Sequence, residues 1–238
     1  MAVATIASRL HRLDWEGLER SLWDRGHAIT PPILTREECD ALVGLYPRER
    51  RFRKTIDMAP RQFGIGDYKY FRYPLPRVVQ ALRTALYSHL APVANGWVKA
   101  LRVREHYPPT LSGFLKRCHR GGQARPTPLI LHYEAGGYNC LHQDVYGSLA
   151  FPLQVTAFLS RPGRDYSSGA FLLLEQRPRA QSMCDAIIPD QGALVLFATR
   201  FRPEQGKRGY RRLQLKHGVS RVLRGKRYTL GIIFHDAK

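Results

Sequence analysis

The spacing of apolar positions changes once along this chain, near residue 127. Ahead of that point most apolar residues recur every three or four positions. Asp14 is placed to cap a helix running to about Asp24, with Leu18, Leu22 and Trp23 on one face and Gly26 as its stop. Thr35-Arg36-Glu37-Glu38 has the form of a capping box for a helix carrying Cys39, Leu42 and Val43. Pro76 opens a further helix with Val79, Leu82, Leu86 and Leu90 at helical spacing; Pro92 is expected to break it and start another through Trp97 and Leu101. Thr110 caps a short helix ending at Arg120 before Gly121-Gly122. Between these helices, alternation predicts a strand over 48–57, a turn at Gly64–Gly66 and an aromatic strand over 68–73.

After residue 127 the pattern becomes short apolar runs separated by turns, with strands predicted near 128–134, 138–145, 151–160, 169–176, 185–188, 192–198, 211–217 and 226–235. Strands in this number with no helix between them predict a double-sheet jelly roll. The chain therefore reads as α+β. A helical region with one or two strands, 1–126, packs on a barrel core, 127–238, and its helices support the sheet from outside.

The chemistry is concentrated at His142-Gln143-Asp144. In an extended strand, residues i and i+2 project to one face, so an imidazole and a carboxylate could point together at one metal ion. His217 is the candidate third ligand, and two histidines with one carboxylate form the facial triad typical of non-haem Fe(II) oxygenases. His-x-Asp is short enough to arise by chance, and a histidine and an aspartate at a turn is the plain alternative. Ten residues beyond His217 lies Arg227, whose guanidinium fork suits a carboxylate; Thr229 shares its face and can add a hydroxyl.

These positions, with Leu-His-Gln-Asp-Val-Tyr-Gly from Leu141, Phe-Pro-Leu-Gln from Phe151, Glu-Gln-Arg-Pro-Arg from Glu175, His-Gly-Val-Ser-Arg from His217 and Leu-Gly-Ile-Ile-Phe-His-Asp-Ala from Leu230, resemble the Fe(II)- and 2-oxoglutarate-dependent oxygenases over about residues 127–237. Within that superfamily they resemble a bacterial group predicted to modify nucleic acid and likened to the AlkB-type demethylases. The resemblance implies a cupin-like double-stranded β-helix. It implies Fe(II) on His142, Asp144 and His217, with 2-oxoglutarate and O₂ as cosubstrates. It further implies that Tyr133, and by extension Asn139, hydrogen-bonds the cosubstrate, which Arg227 and Thr229 anchor. One position departs from the AlkB pattern: its cosubstrate arginines lie farther beyond the distal histidine, whereas Arg227 has the spacing of many generic hydroxylases.

Composition bears on the partner. The net charge is +19, from 38 Lys and Arg against 19 Asp and Glu. Arginine's excess over lysine fits a GC-rich genome, but the shortage of acids does not follow from that and favours a polyanion, either DNA or RNA. A basic surface with no such partner is the alternative. Arg53 and Tyr70, in the basic and aromatic strands, either meet nucleic acid or belong to an edge strand packed on a helix. Gln143 and Tyr146 either line the substrate mouth or pack as ordinary strand residues; Arg177 and Arg179 either clamp phosphate or sit in a solvated loop. The densest late cluster is Arg200, Arg202, Lys207, Arg208, Arg211 and Arg212, with Phe201 and Tyr210 between. The competing functions are hydroxylation of a protein side chain or a small metabolite, and a non-catalytic barrel that only binds nucleic acid. No apolar run is long enough to span a membrane. The N-terminus reads as a disordered start leading into a helix rather than a signal peptide. Four scattered cysteines indicate neither zinc nor disulfides, which makes the cytoplasm the default. Nothing in the pattern fixes an oligomeric state.

Overall fold

The computed structural model describes residues 4–144, 147–177, 179–207 and 209–238. The elements in chain order are α1 (Ile6–His11), α2 (Trp15–Arg25), β1 (His27–Ile29), α3 (Arg36–Val43), β2 (Phe52–Asp57), β3 (Gly64–Ile65), β4 (Asp67–Phe71), α4 (Arg77–Ala100), α5 (Leu111–Arg120), β5 (Leu129–Tyr133), β6 (Tyr138–His142), β7 (Leu153–Phe158), β8 (Tyr166–Ser168), β9 (Phe171–Gln176), β10 (Met183–Ile187), β11 (Leu194–Ala198), β12 (Phe201–Gly206), β13 (Gly209–Val219), β14 (Val222–Gly225) and β15 (Arg227–Ile232). Two sheets make a double-stranded β-helix. The larger has the order β1-β11-β7-β15-β5-β4-β2 and the smaller β10-β9-β13-β6-β3, with β12 paired to β13. A two-stranded ribbon, β14-β8, stands beside them.

The central strands of the larger sheet, β7, β11 and β15, are buried on both faces, and period-two alternation sorts their residues. Leu153, Val155 and Ala157 of β7, Leu194 and Leu196 of β11, and Leu230 and Ile232 of β15 join one core with Leu10, Leu22, Leu82, Leu86, Leu90 and Trp97 of the helices. The intervening positions face the other way, toward the smaller sheet, and here polar residues appear in otherwise apolar strands: Gln154, Thr156, Arg227 and Thr229, all buried. A polar side chain on a buried face costs free energy unless it meets a partner or a ligand, so these positions mark a cavity rather than a second solid core.

Local signals in the helical half behave as expected. Asp14 caps α2, Gly26 stops it in the left-handed region, and Thr35 with Glu38 completes a reciprocal capping box on α3. Thr5 caps α1, so the helix expected to follow the N-terminal start begins at Ile6. Three expectations need correction. Pro92 lies inside one continuous helix, α4, instead of ending it. An internal proline costs roughly 3 kcal/mol, but Val79, Leu82, Leu86, Leu90, Val93, Ala94 and Trp97 are all buried along that helix and outweigh it. Gly64-Ile65 is no simple turn but strand β3, at the edge of the smaller sheet, where a Cβ on Gly64 would stand 2.2 Å from the Tyr138 carbonyl oxygen. The segment before residue 127 contributes four strands rather than one or two, and β1, β3 and β4 are hydrogen-bonded to β11, β6 and β5. All eight strands expected after residue 127 are present. The four cysteines are free, Cys39 and Cys118 buried, Cys140 and Cys184 exposed. No helix among the described residues is long and apolar enough to cross a membrane.

A buried ion pair fastens the end of β15 to the helices. Arg83 Nη2 donates to Asp236 Oδ1 at 2.8 Å and Arg83 Nε to the Ile233 carbonyl at 2.9 Å, and both side chains are fully buried. His119 of α5 reaches the same carboxylate at 2.8 Å. Arg83→Ala would take the buried cation from that carboxylate and a donor from each of the Ile233 and Phe234 carbonyls, so unfolding free energy in urea is expected to fall by about 3–5 kcal/mol with an unchanged slope.

Candidate metal and cosubstrate site

Between the two sheets lies a cavity of about 380 Å³. Antiparallel pairing of β6 with β13 sets His142 directly opposite His217, with the imidazole centroids 4.2 Å apart. The register then shifts between His217 and Val219; there Gly218 has no side chain to collide with the Asn139 carbonyl, 2.8 Å from where its Cβ would be. Asp144 lies two residues past the last residue of β6. It is therefore not the strand pleat that brings it to the histidines, as the His-x-Asp spacing suggested, but the chain's exit from the strand. Its carboxylate spans both rings, Oδ1 at 3.6 Å from His142 Nε2 and Oδ2 at 3.3 Å from His217 Nε2.

The three residues fit a metal. Their ligand atoms all lie within 4.8 Å of one another. Ligands about 2.1 Å from an ion and at right angles to each other stand about 3.0 Å apart, so the two Asp144 contacts of 3.6 and 3.3 Å need only a small contraction. His142 Nδ1 donates to the Cys140 carbonyl at 2.7 Å, which fixes the tautomer and aims the Nε2 lone pair at the site. Burial, with His217 beside it, holds the His142 pKa below its ordinary value while Asp144 pulls the other way, so the ring is neutral and able to ligate. Two nitrogens and one carboxylate oxygen are the donor set of non-haem Fe(II) sites.

Arg227, the first residue of β15, stands opposite Tyr133 of β5 and is only 1% exposed. None of its three guanidinium nitrogens has a hydrogen-bond partner among the described residues. The rings of Phe158, Tyr133 and Tyr166 surround it, with centroids 5.4, 5.6 and 5.8 Å from Cζ. Aromatic faces offset only part of the cost of a buried cation, so the arrangement calls for an anion. Thr229 is buried on the same face two residues on and lines the cavity with Arg227. Asn139 Nδ2 donates to the Tyr133 hydroxyl at 3.2 Å. Burial pushes the Tyr133 pKa up to about 12, so the phenol keeps its proton and can donate it.

The cavity thus brings together His142, Asp144, His217, Arg227, Thr229, Tyr133, Asn139 and Gln143. Gln143 acts as a bracket, its amide donating to the Leu215 and Arg200 carbonyls at 2.6 and 3.2 Å. The sequence reading missed Gln154, buried with Nε2 3.4 Å from His217 Nε2, and Thr156 and Tyr68, which also line the cavity. The available signal was an amide and a hydroxyl alternating inside the apolar run Leu153–Phe158. Other substrate candidates lie elsewhere. Tyr70 is buried among Ile56, Leu129 and Ile233 and so presents no face for a base. Arg53 stacks on Tyr70 and spends its Nε on the Pro126 carbonyl at 2.8 Å. Arg177 is no free phosphate clamp, because its Nε donates to Glu175 at 2.7 Å. Arg179 is exposed at a positive φ of 58°, and Tyr146 and Arg208 fall outside the described residues.

A double-stranded β-helix holding a His/Asp/His set and a buried arginine with no carboxylate partner among the described residues has the architecture of the 2-oxoglutarate- and Fe(II)-dependent oxygenases. Comparison with known proteins agrees: residues 66–237 match, and the chain belongs to, the family described as "Oxygenase, catalysing oxidative methylation of damaged DNA". Two Mycobacterium tuberculosis proteins, the uncharacterized proteins MT2286 (strain CDC 1551 / Oshkosh) and Rv2227 (strain ATCC 25618 / H37Rv), are each 47% identical over 167 residues, 70% of this chain and 72% of theirs. In fold, the chain is similar to a Pseudomonas putida prolyl-4-hydroxylase (TM-score 0.57, 14% identity, 94% of this chain and 99% of that one). It is also similar to a 2OG-Fe(II) oxygenase family oxidoreductase from Burkholderia pseudomallei (TM-score 0.54, 13% identity, 95% and 94%). The protein is an Fe(II)-dependent dioxygenase that uses 2-oxoglutarate and O₂.

Proposed function

We propose that this oxygenase oxidises a methyl or other small group on a damaged or modified base in nucleic acid. His142, Asp144 and His217 would hold the iron, and Arg227, Thr229, Tyr133 and Asn139 the 2-oxoglutarate. The bound metal and cosubstrate supply the oxidising power: one O₂ is consumed, 2-oxoglutarate becomes succinate and CO₂, and one oxygen atom enters a substrate C–H bond. On an N-methyl group the product is a hydroxymethyl that leaves as formaldehyde, so the chemistry removes a methyl rather than adding one.

The chain's own residues set the geometry for this. Arg227 offers a two-pronged contact to a carboxylate and gains the charge partner it lacks among the described residues. Tyr133, its oxygen already occupied by Asn139, can point its proton at the same anion. Phe171, Phe197 and Val219 line the cavity and exclude water around these contacts. Gln154 places a buried amide beside the His217 ligand atom, where it can hold a polar group of whatever occupies the metal.

The substrate class rests on one observation, the family match over residues 66–237 with its damaged-DNA description, and the net charge of +19 accords with it. A base can reach the ligands only by leaving its stack. Succinate and formaldehyde should be measured with Fe(II) and 2-oxoglutarate over methylated oligonucleotides, their unmethylated counterparts, proline-containing peptides and small metabolites. Equimolar formaldehyde and succinate from methylated oligonucleotides, faster from single strands than from matched duplex, is the expected outcome. Stimulation by peptides or metabolites alone would remove the nucleic-acid reading and leave the oxygenase assignment standing.

A further inference from the structure

The strand that carries His217 continues well past the barrel. From Gln214 to Val219, β13 pairs with β9; from Gln214 back to Gly209 it pairs instead with β12, and the two form a hairpin off the end of the smaller sheet. The residues that alternate with buried Leu213 and Leu215 are Arg212, Gln214 and Lys216. Across the hairpin, Phe201 lies opposite Gln214, on the same face. Arg200 and Arg212 both stack on the Phe201 ring, with Cζ 4.7 and 5.9 Å from its centroid. Stacking occupies the flat face of a guanidinium and leaves its N–H edge free, the edge that binds phosphate in a fork.

Two further observations separate this face from an ordinary solvated one. Glu204, the only acidic residue of the hairpin, is held by Arg211, whereas no carboxylate pairs with Arg200, Arg212 or Lys216 among the described residues. The base of the hairpin is also tied to the metal site. Gln143, between His142 and Asp144 in sequence, donates its amide to the carbonyls of Arg200 and Leu215. The Arg200 and Leu215 carbonyls therefore lie beside the rim of the cavity, while Arg212 and Lys216 project from the face of β13 opposite the one His217 turns inward. Toward the tip, Tyr210 is 46% exposed and leans on Trp23 with centroids 5.7 Å apart, an aromatic surface of the kind on which bases stack.

We infer that the β12–β13 hairpin is a backbone track: Arg200, Arg212 and Lys216 hold the phosphates of the nucleic-acid strand flanking the nucleotide that enters the cavity. This rests on the nucleic-acid reading above and adds to it where the strand lies. Phosphate contacts position a strand without reading its sequence, so the track fits an enzyme whose selectivity lies in the pocket.

The test compares the wild type with an Arg200→Ala/Arg212→Ala double variant and an Arg211→Ala control. Binding of an unmodified single-stranded 16-mer is followed by fluorescence anisotropy between 50 and 200 mM salt, and turnover is measured on a methylated oligonucleotide and on the matching methylated nucleoside. For the double variant, affinity and oligonucleotide kcat/KM should each fall about tenfold or more, uniformly across sequences. The slope of log affinity against log salt should drop by about 1.4 for two lost contacts to a single strand. Nucleoside turnover, which involves no backbone, and the Arg211→Ala control should stay within about twofold. Thermal unfolding checks that the exposed substitutions leave the fold intact. If the wild type binds and the double variant matches it in affinity and slope, or if Arg211→Ala loses as much, the track is overturned while the substrate class stands. If the wild type neither binds nor oxidises nucleic acid, the substrate class falls and takes the track with it. If an acidic peptide binds the wild type more tightly than the 16-mer does, the partner class is wrong.

Discussion

Asp144→Ala is expected to cut 2-oxoglutarate turnover by well over ~100-fold, because even partners one step removed from a metal cost 10–100-fold when lost. Asp144 is the informative position. It contributes the only negative charge to the three ligands and bridges the two imidazoles, with contacts of 3.3 and 3.6 Å. It lies past the end of β6, so its loss opens no hole in the sheet. Binding can be read without turnover: Mn(II), which cannot drive the reaction, should raise the unfolding temperature of the wild type in a concentration-dependent way and leave the variant unmoved. A variant still stabilised by Mn(II) like the wild type would dismiss Asp144 as a ligand. His142→Ala should behave similarly. His217→Ala should also lose intrinsic stability, since its side chain is buried against Phe171 and Phe197.

Arg227→Ala should raise the KM for 2-oxoglutarate about 10–100-fold, the range expected when a charge-assisted contact of about 1.5–3 kcal/mol is removed. Arg227→Lys should recover only part of this, because an ammonium cannot reproduce the fork. Metal stabilisation should survive both changes. Stability without ligands should move in the opposite direction to affinity. A buried guanidinium with no hydrogen-bond partner among the described residues costs the apo fold, so Arg227→Met should unfold no earlier than the wild type and yet gain nothing from 2-oxoglutarate. If Arg227→Ala leaves the cosubstrate requirement unchanged, Arg227 is not the anchor. Arg221 would be a poor replacement, for it stacks on Tyr138 and donates to the Gly136 carbonyl at 2.8 Å.

Much of this could be read from local pattern. Helix caps involve residues three apart, so Asp14 and the Thr35–Glu38 box were visible directly, and the eight C-terminal strands followed from alternation between turns. The ligands were legible as residue types, but their meeting depends on register: nothing local sets His217 opposite His142, 75 residues away. The two readings of Tyr70, nucleic-acid contact or packing, could not be separated for the same reason, since β5, which buries it, comes about 60 residues later. Arg177 is neutralised by Glu175, which also binds Arg202 from across the sheet, a three-way contact with no sequence signature. The unpredicted strands are short or atypical. β1 has three residues and β3 two, and β12 carries Pro203, tolerated because that strand has a partner on one side only. Pro92 misled because its cost is local while the burial that outweighs it is spread along α4.

The positions of the early strands bear on how the chain must be made. Synthesis proceeds from the N-terminus, yet β1 pairs with β11, so His27 leaves the ribosome 170 residues before its partner Phe197. β3 waits for β6 and β4 for β5 in the same way. Until those partners emerge, the first half of the chain exposes unpaired strand edges and the apolar faces of α2 and α4 with no sheet to cover them. Chains rich in such distant pairings fold slowly and are open to aggregation while they wait. Recombinant yield should therefore respond to growth temperature and to chaperone supply more strongly than the stability of the finished fold alone would suggest.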